Sequence, residues 1–332
     1  MTFKYKNVYI NETSTITGPY EKSGPLGNYY DKSYNDLYLN EKSFELAEIK
    51  MLNDSLNLLL EKSNLKQDDI DMHISGDLLN QISATNYASK KINIPLIGIY
   101  AACSTSTLGL ALAAMLVDNY KSKKIIVSTS SHNASSEKQF RQPVEYGGPK
   151  KLYSTFTVTG AASALISSEK SNIKIESATI GKVVDYKITD AMNMGAAMAP
   201  AAAKTIYNHF KNTNTKVEDY DLILTGDLGK YGRNILDEFM EQEYNIKLNN
   251  LKDSACMIYD LEKQDVNAGG SGPACIALVT YSYILDKIRK GILNRVLLVA
   301  TGALLSPTLT NEKQSIPAIS HAISIRREKW YI

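Results

Sequence analysis

The second half of this chain repeats the first, and that repetition limits the folds open to it more than any other feature. SGDLLN at 75–80 is answered by TGDLGK at 225–230. The helix that opens at Cys103, in AACSTS, is answered by NAGGSGPACIALVTYSYIL, where Ser271 is expected to open the helix. KKIIVSTSS, ending at Ser131, is answered by NRVLLVATGA from Asn294. One echoed hexapeptide arises by chance, but three matches in the same order mark a duplicated unit.

Within the first unit, β-branched segments alternate with helical ones: IDMHISGD, a helix over about Gln81–Lys90, IPLIGIYA, the AACSTS helix and KKIIVSTSS. That alternation predicts an α/β fold, with a parallel or mixed sheet covered by helices. A long polar loop is expected over 132–152, followed by a strand pair around Gly160 in STFTVTGAASALISS. The expected division is 1–170, loop included, and 171–332. Two such units pack most simply about a pseudo-twofold axis. Matching strand ends and helix N-termini then meet in one central crevice, where ligands of open α/β sheets bind.

Length and composition exclude other classes. The chain of 332 residues is longer than one typical core, and its 44% hydrophobic and 22% charged residues are those of a globular protein rather than a disordered one. A net charge of +2, from 37 basic and 35 acidic residues spread along the chain, supplies no field for nucleic acid. Cys103, Cys256 and Cys275 are too irregular for a disulfide framework, and no Cys/His pair has zinc-ligand spacing, so a reducing cytoplasm and no metal or cofactor are expected. MTFKYKNVYI lacks the apolar core of a signal peptide, and LGLALAAMLV stops at Asp118, short of a span of roughly 20 residues. Any membrane association is expected to be peripheral.

SGDLLNQISATNYASKKINIPLIGIYAACSTS resembles the stretch of the thiolase superfamily that runs from a strand-end glycine to the nucleophilic cysteine, and Cys103 falls on that cysteine. VTGAASALI is similar to the strand that ends the first half in that superfamily, and SHAISI to its closing strand. Within the superfamily, the chain is most similar to the stage V sporulation protein AD family of spore-forming bacteria. The segments are EKSGPLGNYYDKSYND, GDLLNQ, ACSTS, SSHNAS followed by EKQFRQPVEYGG, MGAAMAPAA and TGALLSPT, which run nearly end to end. The resemblance implies thiolase-like α-β-α-β-α layers, two similar halves and a homodimer. It also implies binding of dipicolinic acid, or its calcium complex, for uptake into the developing spore. The partners would be other stage V sporulation A membrane proteins, at the cytoplasmic face or periphery of the spore inner membrane. The wider superfamily implies an alternative, acyl transfer with Cys103 as nucleophile.

A thiolate at a helix N-terminus is stabilised by the partial positive charge of the helix, which lowers its pKa and makes Cys103 a candidate nucleophile. Cysteine is also a small residue commonly buried among alanines. Covalent catalysis needs a base and oxyanion donors besides the thiol. Where the resemblance places the histidine of the condensing enzymes, this chain has Gly226 or Asp227. Where it places their asparagine, or the histidine of a thiolase Gly-His-Pro turn, the chain has Gly270 and Ser271, and Ala318 stands for the second thiolase cysteine. The usual set is reduced to Cys103.

Of four histidines, His73 and His209 read as structural, whereas His132 and His321 are candidates to line the crevice or act as a base. Asp77 and Asp227, the acids of the two GDL turns, read as helix caps or as ligand contacts. A pyridine ring with two carboxylates needs apolar walls, helix N-terminal amides and positive charge. The candidates are Cys103 and Ser104, Gly270 and Ser271, and the loop cations Arg141 and Lys151, with Met192, Met194, Met198 and Pro200 as a wall or as core filling. Arg141 has a second reading, a surface ion pair with Glu137 or Glu145, and Lys121, Lys123 and Lys124 read as a solvated helix end. GGSG lacks the lysine and spacing of a nucleotide loop.

Overall fold

The computed structural model describes residues 1–119 and 122–328. Lys121 of the basic cluster therefore lies outside the described residues, while Lys124 pairs with Glu169 at 2.6 Å.

In the first half, β1 (Tyr9–Thr17), β2 (Met72–Gly76), β3 (Leu96–Gly98), β4 (Lys124–Ser131) and β5 (Gly160–Ser167) lie in the order β1-β5-β4-β2-β3. In the second half, β6 (Ile173–Ile180), β7 (Leu222–Thr225), β8 (Leu251–Asp253), β9 (Arg295–Ala303) and β10 (Ala318–Arg327) lie in the order β6-β10-β9-β7-β8. β2, β3 and β4 run parallel, as do β7, β8 and β9; in each half the remaining two strands are antiparallel to their neighbours. One strand order, with one set of directions, thus occurs twice. The two arrays meet where Tyr9 of β1 pairs with Lys174 of β6.

The helices that position the crevice are α1 (Phe44–Ser63), α2 (Ser83–Ser89), α3 (Thr105–Asn119), α4 (Asn133–Phe140), α5 (Met194–Thr213), α6 (Gly229–Tyr244) and α7 (Pro273–Val279). α7 runs on through a π-helical turn at Thr280–Ile284 into Leu285–Arg289. The strands alternate between two buried faces, as sheets covered on both sides require. On β4, Ile125 and Val127 point inward and Ile126 outward; on β9, Val296 and Leu298 point inward and Leu297 and Val299 outward. The inward sets share one core with Leu110, Ala113 and Ala114 of α3 and with Ala274, Ile276 and Ala277 of α7. The outward sets pack beneath α1, through Leu52 and Leu56, and beneath α5 and α6, through Ile206 and Leu236. Five layers result, and α3 is apolar nearly all round because it is enclosed between two sheets. Truncating a central residue such as Leu298 to alanine costs about 2–5 kcal/mol.

The duplication extends to a segment beyond the three matches above. SNLKQDDID at 63–71 corresponds to TNTKVEDYD at 213–221. α1 and α5 end on Asn64 (φ 53°) and Asn214 (φ 58°), asparagine being tolerated in the left-handed region that closes a helix. Asp69 and Asp219 then accept from the amides of Lys66 and Lys216 at 2.7 and 2.8 Å, and Asp71 and Asp221 from those of Lys124 and Arg295, each at 3.0 Å.

Several expected elements differ. The helix over 81–90 is shortened to Ser83–Ser89, because Gln81 and Ile82 take left-handed conformations before it. The loop over 132–152 opens with α4, which His132 caps by accepting the Ala134 amide at 3.2 Å. There is no strand pair around Gly160: Gly160 begins β5, while Phe156–Thr157 pairs in parallel with Gly270–Ser271 of the other half. That pairing holds Ser271 in extended backbone, so α7 starts at Pro273, whose fixed φ suits the first helical position. No helix among the described residues is long and apolar enough to cross a membrane.

Candidate functional site

The turn Ala102–Ser104 leads into α3 beside the start of α7. Ala102 has φ of +48°, a left-handed conformation that costs an L-residue on the order of 1 kcal/mol and presents Cys103 at the centre of the molecule. β9 closes on this turn at Gly302, where a β-carbon would stand 2.2 Å from the Ala101 carbonyl oxygen. The sharp turn and the missing side chain together let the two halves meet at Cys103.

The thiol itself is buried, with Cys103 only 7% exposed. It faces the Asp227 carboxylate and receives the Gly272 amide. Burial first, then the Asp227 charge, push the thiol well above its usual pKa; the Gly272 amide and Arg141 pull the other way without reversing it. The expected lowering by the helix dipole is therefore overturned, because desolvation opposes the charged form more strongly than the amides favour it. Burial likewise lifts Asp227 to about 7. Its Oδ1 accepts from Thr301 Oγ1 at 2.8 Å, whereas Oδ2 has no partner in conventional hydrogen-bond geometry among the described residues. Both acids are pushed toward their protonated forms.

The two GDL turns have diverged. Asp77 caps as expected, accepting from the amides of Leu79 and Thr85 at 2.8 Å each. Asp227 does not cap; Asp253, at the end of β8, takes the amides of Leu228, Gly229 and Ala255 at 3.2, 3.0 and 3.2 Å. This substitution frees Asp227 to face Cys103, and the sequence reading had no local signal for it.

A small inner chamber of about 30 Å³ adjoins Cys103, lined among others by Tyr100, Arg141, Met194, Ser271, Gly272 and Leu305. An outer chamber of about 510 Å³ is lined by Tyr20, Glu137, Arg141, Lys150, Phe156, Met192 and Asp265 among others. Glu137 and Arg141 line both, and so form the wall between them. Arg141 Nη1 donates to Glu137 Oε1 at 2.8 Å and to the Thr155 carbonyl at 3.3 Å, and Lys150 Nζ lies 3.3 Å from Glu137 Oε2. The Arg141–Glu137 pair is thus the expected one, but it is buried rather than on the surface: the side chains are 6% and 3% exposed.

Of the other candidates, Ser271 lines the inner chamber, but Ser104 turns its hydroxyl to the Ala101 carbonyl at 2.8 Å. Gly226 offers its carbonyl to the Cys275 thiol at 3.3 Å, and Gly270 serves the strand bridge to Phe156. His132 lines neither chamber; its Nε2 donates to the Leu37 carbonyl at 2.8 Å. His321 also lines neither, accepting from the Gly181 amide at 3.3 Å. Burial lowers both histidines to about 4, which leaves them neutral at pH 7. Met194 and Met192 reach the inner and outer chambers respectively, whereas Met198 and Pro200 are core filling. Lys151 is exposed, and its neighbour Lys150 supplies the cation instead. Gly272 was legible as a glycine before proline: its φ is +95°, and a β-carbon there would stand 2.8 Å from Ser131 Oγ. No group of three His, Cys, Asp or Glu among the described residues is arranged to hold a metal ion.

A five-layered, duplicated α/β architecture with a cysteine at the start of its central helix defines a thiolase-like fold. Two solved structures share that fold. Xanthomonas campestris OleA superposes with a TM-score of 0.61 over 98% of this chain and 99% of its own, at 14% identity. The 3-oxoacyl-[acyl-carrier-protein] synthase III of Aquifex aeolicus VF5 does so at 0.57, over 96% and 99%, at 12% identity. The chain belongs to the stage V sporulation protein AD family, whose description matches residues 1–326. It is 48% identical to stage V sporulation protein AD of Bacillus subtilis (strain 168) over 320 residues, covering 96% of this chain and 94% of that one.

Proposed function

We propose that this sporulation-family protein is a non-catalytic binding protein for dipicolinate, or its calcium complex, that serves uptake into the developing spore. The observation that carries the reading is the pairing of Cys103 with Asp227. A nucleophilic thiol needs a partner that takes its proton and tolerates the thiolate. Here the group that faces the thiol to accept its proton is the Asp227 carboxyl, held at about 7 while the thiol is held well above its usual value, so passing the thiol proton to Asp227 is strongly uphill, and a thiolate formed beside an ionised Asp227 would be repelled by it. Of the remaining candidate bases, His132 is engaged through both ring nitrogens, and neither His132 nor His321 lines the chamber beside Cys103. Arg141 and Lys150 supply the positive charge that a carboxylate ligand requires. In this reading the protein works as a homodimer at the periphery of the spore inner membrane, with stage V sporulation A membrane proteins as partners.

One observation favours the alternative, acyl transfer through Cys103: the Gly272 amide aimed at the thiol is the kind of donor that stabilises an oxyanion. Two parallel measurements separate the readings. Purified protein is titrated with dipicolinate by calorimetry, and is incubated with acyl-coenzyme A while intact mass is followed. The binding reading expects saturable dipicolinate uptake and no added mass. Acylation that disappears in Cys103→Ala, accompanied by product turnover, would overturn it.

A further inference from the structure

We propose that a row of cations at the end of the sheet opposite Cys103, made by Arg295, Arg326 and Lys174 with Lys4 beside them, is a second binding site, for a phosphate monoester group. Register makes the row. Arg295, the first residue of β9, stands directly opposite Arg326 of β10, and Arg326 directly opposite Lys174 of β6. Residues paired in this way share one face of a sheet, where like charges are destabilising. The strand Thr2–Lys4, antiparallel to β6, adds Lys4 opposite Ser177.

The four cations line a pocket of about 280 Å³, with Glu176 and Thr213, the last residue of α5, in its wall. β9 runs from Arg295 to Gly302, where it closes on the Cys103 turn, so the pocket lies roughly 23 Å from the crevice. Charge within the pocket does not balance. Glu176 is the extra residue of a β-bulge between β6 and β10. Its carboxylate accepts from Arg295 Nε at 2.6 Å and from Ser324 Oγ at 3.0 Å, and lies 3.5 Å from Arg326 Nε, which is enclosed and makes no hydrogen bond among the described residues. Glu328 takes Arg326 Nη2 at 3.2 Å. Lys174 and Lys4 form no ion pair among the described residues: Lys174 Nζ lies 6.0 Å from the centre of the Tyr9 ring, and Lys4 Nζ reaches the Thr213 carbonyl at 3.4 Å. Four cations thus meet two carboxylates.

The excess of two positive charges matches a phosphate monoester, which carries about −1.5 to −2 at pH 7. Geometry selects the same group. Two guanidinium forks and two ammonium groups converge from four strands, and a phosphate presents three oxygens to donors on several sides, whereas a planar carboxylate presents two to one fork. The donors are also preset. The Arg295 guanidinium lies 4.8 Å from the centre of the Tyr220 ring, and Lys174, Arg295 and Arg326 are half-buried, which screens their charges less than those of surface lysines. An anion over the row would relieve the repulsion that the register builds in.

The test uses the full chain as wild type, Lys174→Ala, Lys174→Arg, Arg326→Gln and Lys42→Ala, the last removing an exposed charge of the first half that is not in the row. Each is titrated calorimetrically with inorganic phosphate at fixed ionic strength, and floated with phosphatidylcholine vesicles with or without phosphatidic acid. Lys174→Ala and Arg326→Gln are each expected to weaken binding roughly tenfold, Lys174→Arg to keep most of it, and Lys42→Ala to leave it unchanged. Lys174→Ala removes a like-charge contact, so without phosphate it should melt no lower than wild type, which separates lost binding from lost folding. Saturable binding of inorganic phosphate assigns a soluble phosphate monoester to the site, and retention only on phosphatidic acid vesicles assigns a lipid headgroup. The site is overturned if the wild type binds neither probe, if Lys174→Ala and Arg326→Gln both bind as wild type does, or if Lys42→Ala loses as much as they do.

Discussion

The Asp227 carboxylate, just past the end of β7, faces the Cys103 thiol, just before the start of α3, so that one buried acid from each half meets the other at the centre of the molecule. Each is enclosed, and burial opposes the ionisation of both; the Asp227 charge raises the cost of ionising Cys103 further, whereas the thiol's hydrogen bond eases that of Asp227. The meeting depends on a third residue: Asp253 bonds the amides that Asp227 would otherwise cap, which is the task its counterpart Asp77 performs in the first half.

Cys103 is accordingly expected to react slowly with alkylating agents at pH 7.5, more slowly than the partly exposed Cys256. Asp227→Asn removes the charge that opposes the thiolate and should speed alkylation of Cys103 by about tenfold, the effect of roughly one pKa unit. Site-resolved mass spectrometry over a time course reads both rates. An unchanged Cys103 rate in the variant means that Asp227 does not govern the thiol.

The native Asp227 makes stability respond to pH in a defined direction. Asp227 rises from 3.8 to about 7 on folding, so between those values the folded protein holds a proton that the unfolded chain has released. Folding through this group therefore weakens as pH rises from about 4 to about 7, the reverse of a salt-bridged aspartate. Asp227→Asn lacks that dependence. Relative to wild type it should gain on the order of 2–4 kcal/mol across the interval, measured as a difference in urea midpoints at the two ends.

Asp253→Ala should be among the most damaging single changes at this site. It leaves the amides of Leu228, Gly229 and Ala255 and the Thr225 hydroxyl without their acceptor in a buried setting. The expected loss is about 2–4 kcal/mol in equilibrium unfolding. A loss below about 1 kcal/mol would show that water or Asp227 takes over the cap.

Gly272→Ala forces a side chain onto a backbone at φ +95° and into Ser131 Oγ. It should cost about 1–3 kcal/mol. It should also draw the amide away from Cys103, so that alkylation slows further instead of speeding up. Faster labelling in this variant would mean that the glycine shields the thiol rather than stabilising its charged form.

Much of the architecture was legible in the chain because its determinants are local or repeat. The alternation of β-branched and helical segments, the paired GDL turns and the matching strands prescribe a duplicated α/β unit. The apolar composition of LGLALAAMLV is that of a helix between two sheets. The Asn64 and Asn214 helix ends were equally readable, as the same residue in the same context twice. The strand pair around Gly160 was misplaced because Phe156–Thr157 finds its partner in the other half, more than a hundred residues away in the chain.

The sequence by itself determined the fold class, the duplication and the central position of Cys103, since periodicity and helix-start patterns act over a few residues. Only the tertiary structure decided the character of that cysteine. A helix N-terminus argues locally for a reactive thiolate, but ionisation depends on everything within a few ångströms, and here that includes a low-dielectric core and a carboxylate from the opposite half. The same holds for Lys150 over Lys151, and for Asp253 over Asp227 as the cap. Those choices were made by distances across the fold, which no pattern along the chain records.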